Sequence, residues 1–378
     1  MVLSTMKVLF TTTHSYLPYF YGGSELSTHE LVCALRAHGH EGAVNVSHGT
    51  NHLGAILDRA RGKLSARKGF AKTKFDNYTV YRSWSPVDSL PKVLSDMEPD
   101  IGVAQAGDQG RIVRAHVSCH LPVVLYVRDV EFKWQSAGDY LSSPLVRFVA
   151  NSRFTADAIK KKSGQVADII PPLIHGSRYY TPEPGNAVVM INPHPVKGVD
   201  VMLQLAKLCP DIPFITVRGW GLSAETEAEL APRYAELPNV RQLPSTDDMR
   251  AIYAQAKLLL VPTSTPYLAE PVDFPEAWGR VVTEAQFSGI PVLASDDGGL
   301  PESVGPGGLL VDRNAPIESW HKAIRGMWDD PDEYSRLREA ARRHAMRDEI
   351  QPTYLYEKFI RICLDHIAAS KRRHAGSR

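Results

Sequence analysis

The sequence predicts an α/β protein of two doubly wound, Rossmann-like domains in tandem. Three observations carry this. Short apolar runs bounded by Gly, Pro or Asn alternate with amphipathic helical patterns, which is the rhythm of βαβ units on a parallel sheet. That rhythm breaks once, at the polar Pro/Gly-rich stretch "YYTPEPGNA" (residues 179–187), and then restarts. The length of 378 residues suits two domains, each able to bury its own core.

Along the first half, "KVLFTTT" reads as a buried strand. "GGSELSTHELVCALRAHGHE" reads as a Gly turn opening an amphipathic helix that stops near Gly39. "IGVAQAG", "PVVLYV" and "RFVAN" read as strands with helices between some of them. "NSRFTADAIKKK" reads as a helix capped by Asn151 or Ser152, with its basic end matched to the helix dipole. "DIIPPLI" ends the half in a Pro-rich stop. After the break come the strand "AVVMIN", the helix "GVDVMLQLAKLC" and the strand "PFITVRG". The helices "SAETEAELAPRYAEL" and "DDMRAIYAQA" and the strand "KLLLVPT" follow. "PVLA" and "GGLLV" are the last strands, and helices fill the chain from Ile317 onward. The expected divisions are 1–182, 183–350 and a closing helix with its tail at 351–378.

Composition narrows the function. Hydrophobic residues make up 43% and charged residues 22%, as in ordinary globular proteins. A net charge of +1 gives no field that would favour nucleic acid. Cys33, Cys119, Cys209 and Cys363 are far apart and form no metal-type pair, which fits structural thiols in a reducing cytoplasm. The first residues carry too short an apolar run, interrupted by Lys7, for a secretory leader. There is no run of about 18 apolar residues to span a membrane. One basic run without acids begins at Arg59 and ends at Lys74. It could attract an anionic acceptor or an anionic membrane surface, or be a solvated loop. The tail "KRRHAGSR" reads as disordered.

Ligands of open α/β sheets bind beyond the carboxyl ends of strands, so the loops after strands are the candidate sites. Gly22 and Gly23 would let a phosphate or sugar approach backbone N–H groups, or would form a plain turn capped by Ser24. They do not make a GxGxxG fingerprint. In "INPHPVKGVDV", Asn192, His194 and Lys197 follow a strand; the lysine could neutralise phosphate or be a solvated loop residue, and the histidine could neutralise phosphate when protonated or merely hydrogen-bond. Arg218 follows the next strand and could grip phosphate, or stack on Trp220. Arg128 and Asp129 follow "PVVLYV" and could meet the acceptor or the transferred sugar, or pair at the surface. "SDDGGLPESVG" reads as a turn before a capped short helix.

The stretch "FPEAWGRVVTEAQFSGIPVLAS" is the most informative. A helix starting near Gly279 would put Glu276 and Glu284 about 12 Å apart at about 1.5 Å per residue. Two carboxylates acting on one bond want about 5–10 Å. The wider spacing suits a long ligand: one carboxylate at a sugar, one at a ribose, and a diphosphate between. The diphosphate would meet the N–H groups of Gly279, Arg280, Val281 and Val282 at the helix start. An acidic helix start with an exposed Glu284 fits the residue types equally well.

Together these motifs resemble family 4 glycosyltransferases, a retaining family with the GT-B fold. "EAWGRVVTEAQFSGIPVLAS" is similar to its E-x7-E motif, "YGGSE" to its Gly-rich donor loop, "NPHPVKGVD" to its phosphate-lysine loop, and "VANSRFTA" to a late element of its first domain. The resemblance runs in order along nearly the whole chain. It implies two Rossmann-like domains facing across a cleft, with the last helix crossing back to the first. It implies a UDP-, GDP- or other nucleoside-diphosphate-sugar donor held mainly by the second domain. Glu276 is then expected at the transferred sugar, Glu284 at the ribose, Lys197 at the diphosphate and Gly23 near the same phosphates. No metal or other cofactor is expected, and the acceptor would be a sugar, a lipid-linked hydroxyl or a natural product. Two positions depart from the family pattern. Asn192 stands where an arginine is usual, with Arg218 or His194 as substitutes. Arg128 stands where a histidine that contacts the donor sugar or orders the acceptor site is usual, so it joins Glu276 as a catalytic candidate and suggests an anionic acceptor, a different sugar or altered chemistry. A degenerate, binding-only homologue and a nucleotide-sugar epimerase are the alternatives; an NAD-dependent enzyme is disfavoured by the missing fingerprint.

Overall fold

The computed structural model describes residues 5–49, 56, 69–219, 221–263 and 275–376. The chain divides into two units: Met1–Leu173 with Pro352–Arg378, and Ile174–Gln351.

The first unit is built on an eight-stranded sheet in the order β3-β4-β2-β1-β5-β6-β7-β8. Its strands are β1 (Lys7–Thr11), β2 (Glu41–Ser47), β3 (Ala71–Phe75), β4 (Tyr78–Ser83), β5 (Ile101–Ala104), β6 (Val123–Val127), β7 (Val146–Ala150) and β8 (Asp168–Ile169). Every pairing is parallel except β3 with β4. Helices α1 (Gly23–Ala37), α2 (Pro86–Met97), α3 (Gln109–Ser118) and α4 (Arg153–Ser163) connect the strands. β1 and β6 are buried almost throughout, so they read as continuous apolar runs. The β3–β4 hairpin is absent from the sequence reading. Its turn, Asp76–Asn77, has φ of 43° and 64°, the left-handed pair that a two-residue hairpin turn needs and that Asp and Asn tolerate. β3 alternates lysines toward solvent, as an edge strand should.

The second unit carries a six-stranded parallel sheet in the order β11-β10-β9-β12-β13-β14. Its strands are β9 (Ala187–Ile191), β10 (Phe214–Val217), β11 (Val240–Leu243), β12 (Ala256–Val261), β13 (Val292–Ser295) and β14 (Gly308–Val311). Numbered from one, this is the 3-2-1-4-5-6 order of a dinucleotide-type sheet, reversing between β9 and β12. Helices α5 (Val199–Leu208), α6 (Ala224–Ala235), α7 (Met249–Tyr253), α8 (Arg280–Gln286), α9 (Leu300–Val304), α10 (Ile317–Asp329) and α11 (Pro331–Ala345) surround it. This unit begins at Ile174, not at 183. The Pro/Gly-rich stretch is already tied into it: the Tyr179 ring packs edge-on against Tyr253 at 6.2 Å, and the Thr181 N–H donates to Ser288 Oγ at 2.8 Å.

The closing helix α12 (Pro352–Gly376) belongs to the first unit. Its Leu355, Phe359 and Cys363 share one core with Val8, Phe10 and Leu31, and the rings of Phe10 and Phe359 stack at 6.1 Å. No helix among the described residues is long and apolar enough to cross a membrane. Most of the basic run from Arg59 lies outside the described residues; at its end Lys72 pairs with Asp96 at 2.6 Å.

Candidate functional site

In the second unit the sheet reverses between β9 and β12, and the loop from β9 to α5 stands at that point. Asn192 turns the chain out of β9 with φ of 60°, a conformation that Asn adopts more readily than most residues. An arginine there would meet the left-handed backbone at greater cost. His194 Nδ1 accepts the Val196 N–H at 3.3 Å and caps a 3-10 turn at Pro195–Lys197. Burial and then the neighbouring Lys197 lower the His194 pKa. Of the two roles that the sequence left open for His194, the structure shows the hydrogen-bonding one, as a cap. Gly198 (φ 81°) closes the loop; a Cβ there would lie 1.8 Å from the Pro262 carbonyl oxygen. Only glycine lets the loop lie against the end of β12.

This packing sets Lys197 against Glu276. Nζ donates to Oε1 at 2.5 Å, and both side chains are mostly shielded, at 12% and 19% exposure. The Glu276 backbone is held in turn by Gly298–Gly299, read from the sequence only as a turn. The Gly299 N–H donates to the Glu276 carbonyl at 2.6 Å. A Cβ on Gly298 or Gly299 would sit 2.3 Å from the Glu276 carbonyl oxygen or 2.2 Å from that of Ala277.

Glu276 lies before the helix, and α8 starts at Arg280 with Gly279 (φ 77°) as its N-cap. The expectation of four open N–H groups is corrected at Val282, whose N–H already donates to the Gly279 carbonyl at 3.0 Å. Val281 precedes it in the first turn. Glu284 is buried, which removes the exposed reading. Tyr253 Oη donates to its Oε2 at 2.9 Å, and Arg280 Nε stands 3.3 Å from Oε1. Burial and then Glu284 push the Tyr253 phenol far up, so it remains a donor. Sequence reasoning missed Tyr253, because nothing in "DDMRAIYAQA" marks a tyrosine as the partner of a carboxylate 31 residues later. Arg218 does follow β10, but it pairs with Glu227 of α6 at 3.0 Å and is exposed.

In the first unit the reversal falls between β1 and β5. Gly22 caps α1 without a side-chain bond, so Ser24 is not the cap; Gly23 is the first helical residue. A Cβ on Gly22 would meet Glu25 Oε2 at 2.4 Å. Glu25 is buried and approaches His14 Nδ1 at 3.7 Å. The bond to Glu25 raises the His14 pKa against the effect of burial, with Asp129 and Glu131 adding to it. Arg128 is buried, not a surface ion pair. It donates to the Ser24 carbonyl at 2.6 Å and Thr28 Oγ1 at 2.8 Å, and lies over the Tyr126 ring at 4.2 Å. It clasps β6 to the start of α1. Burial raises the pKa of Asp129, which accepts from the Glu131 N–H at 3.2 Å and from Gln135. His14 and Glu25 were not singled out; the only signals were a position just after β1 for His14 and, for Glu25, a place in "YGGSE" at the start of α1. A separate group able to hold a metal, His29, Cys33 and Asp76, lies on α1 and the β3–β4 turn.

Residues 186–344 match the family model described as Glycosyl transferases group 1. A D-inositol 3-phosphate glycosyltransferase of Corynebacterium kroppenstedtii is 35% identical over 134 residues, 34% of this chain and 27% of that protein. One from Salinispora tropica is 31% identical over 181 residues, 43% of this chain and 35% of that protein. The chain thus matches only about a third of these relatives' own length. Among solved structures, a glycosyltransferase from Rickettsia africae agrees with a TM-score of 0.73 at 16% identity, over 97% of this chain and 99% of that one. Anabaena HepE in complex with UDP and glucose agrees with a TM-score of 0.71 at 19% identity, over 94% and 98%. At such identities the likeness is one of fold. The chain has the GT-B fold of these glycosyltransferases, and its residues 186–344 match the model of the group 1 glycosyl transferases.

Proposed function

We propose that the chain is a retaining glycosyltransferase that moves a sugar from a UDP-, GDP- or other nucleoside-diphosphate sugar to an acceptor hydroxyl. The observation that carries this reading is the Lys197–Glu276 pair at the reversal of the β9–β12 sheet, with Glu284 buried eight residues on. A cation and a carboxylate in contact, both largely shielded, suit a ligand that is anionic at one end and becomes cationic at the other. The leaving diphosphate takes Lys197, and the sugar, which gains positive charge as its bond to phosphate breaks, takes Glu276. Glu284, oriented by Tyr253, accepts from the ribose hydroxyls. The bound UDP and glucose of the Anabaena neighbour support a donor of this class.

In the step, the anomeric carbon loses its oxygen bond to the β-phosphate and gains one to the acceptor oxygen on the same face. The acceptor's proton passes to the leaving phosphate, so no side chain need act as base and no metal is required. Alignment and charge stabilisation are the protein's share. In the first unit, Glu25, Asp129 and Glu131 make the surroundings of His14 acidic. That favours an acceptor read through its hydroxyls over the anionic one first inferred from Arg128. The unpaired thiols support a reducing cytoplasmic setting.

The test is donor turnover without acceptor. The full chain, incubated with UDP-, GDP-, ADP- and dTDP-sugars, should slowly release one nucleoside diphosphate, and NMR should find the freed sugar with the donor's anomeric configuration. Nucleotide binding without release would support the binding-only homologue instead.

A further inference from the structure

We infer that the first unit holds a zinc ion on His29 Nε2, Cys33 Sγ and Asp76 Oδ2, a site that clamps the β3–β4 hairpin to α1. His29 and Cys33 lie one helical turn apart on α1, so their side chains share a face. The hairpin turn brings Asp76 to that face. Sγ lies 3.7 Å from His29 Nε2 and 3.5 Å from Asp76 Oδ2, and Nε2 lies 3.8 Å from the same oxygen. In a tetrahedral zinc site, ligand bonds of about 2.0–2.3 Å put such N, S and O atoms roughly 3.3–3.6 Å apart. The triangle is thus already nearly the size that the ion needs, and small side-chain rotations would close it.

Further features fit a metal. The other imidazole nitrogen, His29 Nδ1, is 3.1 Å from Tyr78 Oη, which is 3.0 Å from Tyr16 Oη. With Nδ1 protonated and donating to Tyr78, Nε2 keeps its lone pair for the ion, the arrangement usual for metal-bound histidine. The rings of Phe75 and Tyr78 flank His29, at 5.6 and 5.9 Å, and limit solvent on one side. The charges also balance: one thiolate and one carboxylate neutralise a divalent cation. Nitrogen, sulfur and oxygen ligands together select zinc over magnesium or calcium. Asp76 is 56% exposed, which leaves an entry path and room for water as the fourth ligand. Binding exchanges the Cys33 S–H proton for the ion and releases it to solvent. Burial, then Asp76, pushes the free thiol up to about 12, so without the ion this cysteine is an inert thiol. The site uses none of the residues assigned to donor chemistry.

The chelator-treated full chain should be titrated with zinc chloride and, separately, with cobalt(II). The expected result is one ion per chain, a thiolate-to-cobalt charge-transfer band and a Tm several degrees higher with zinc. Cys33→Ser should abolish the band and weaken zinc binding by about 100-fold or more. Should that variant fail to fold, Asp76→Asn preserves the turn chemistry and should weaken binding by about 10-fold or more. Cys119→Ser should leave binding unchanged. Absence of stoichiometric zinc, a cobalt spectrum without the thiolate band, or full affinity in Asp76→Asn would overturn the assignment.

Discussion

On the proposed reading, Lys197 and Glu276 divide two tasks, and substitution should separate them. Lys197→Ala removes a charge-assisted contact to the diphosphate and should weaken nucleoside diphosphate binding about 10- to 100-fold by calorimetry. Glu276→Gln keeps shape and should leave that affinity within a few-fold while donor turnover falls by about two to three orders of magnitude. Gly298 tests the support beneath them. With φ of 60° and a Cβ 2.3 Å from a backbone oxygen, Gly298→Ala should cost about 2 kcal/mol or more, seen as a Tm lower by about 4–8 °C. At this scale the sequence was readable where a residue type has few uses. Lys197 stood out beside Gly198 in a loop after a strand, and Glu276 and Glu284 by their spacing on either side of Gly279–Arg280. Tyr253, His14 and Glu25 did not, because their meaning comes from partners brought near by the fold. For His194 the sequence left a cation and a plain hydrogen-bonding role open, and the fold decides for the second: it caps Val196, with burial and then Lys197 lowering its pKa.

Strands buried on both faces announced themselves. β1, β6, β9 and β12 are near-continuous apolar runs, and their order in the chain made the α/β class legible. β2 and the hairpin were lost. β2 carries the buried Asn45, whose amide donates to the Pro86 carbonyl at 2.9 Å, and β3 is an edge strand with lysines. Such elements get their polar satisfaction from elsewhere in the fold, which local pattern does not encode. Helix α3 offers a test of element stability. His116 on it is fully buried, with Nδ1 2.8 Å from the Ile112 carbonyl, and burial lowers its pKa to about 4. The unfolded chain, with a histidine near 6.5, binds the extra proton first as pH falls. Stability should therefore drop between about pH 6.5 and 4, by about 3 kcal/mol in all. Denaturant titrations across that window check this, and His116→Gln should flatten this part of the profile.

The whole chain is two units, with the first completed by its last helix. Core residues Leu355, Phe359 and Cys363 come from α12, so removing 352–378 strips apolar cover from Phe10 and Leu31. That deletion should unfold the first unit while 174–351 retains a cooperative melt of its own, resolved by calorimetry. On the proposed reading, the second unit alone should still bind the nucleotide. The claim on which the account rests is that this unit binds a nucleoside diphosphate through Lys197 and Glu284. The most direct measurement is isothermal titration of the full chain with UDP, GDP, ADP and dTDP, repeated on Lys197→Ala and Glu284→Ala. The account predicts one nucleotide bound at one per chain, with affinity at least about tenfold lower in both variants. No binding by any of the four, or binding that both variants retain in full, would contradict it.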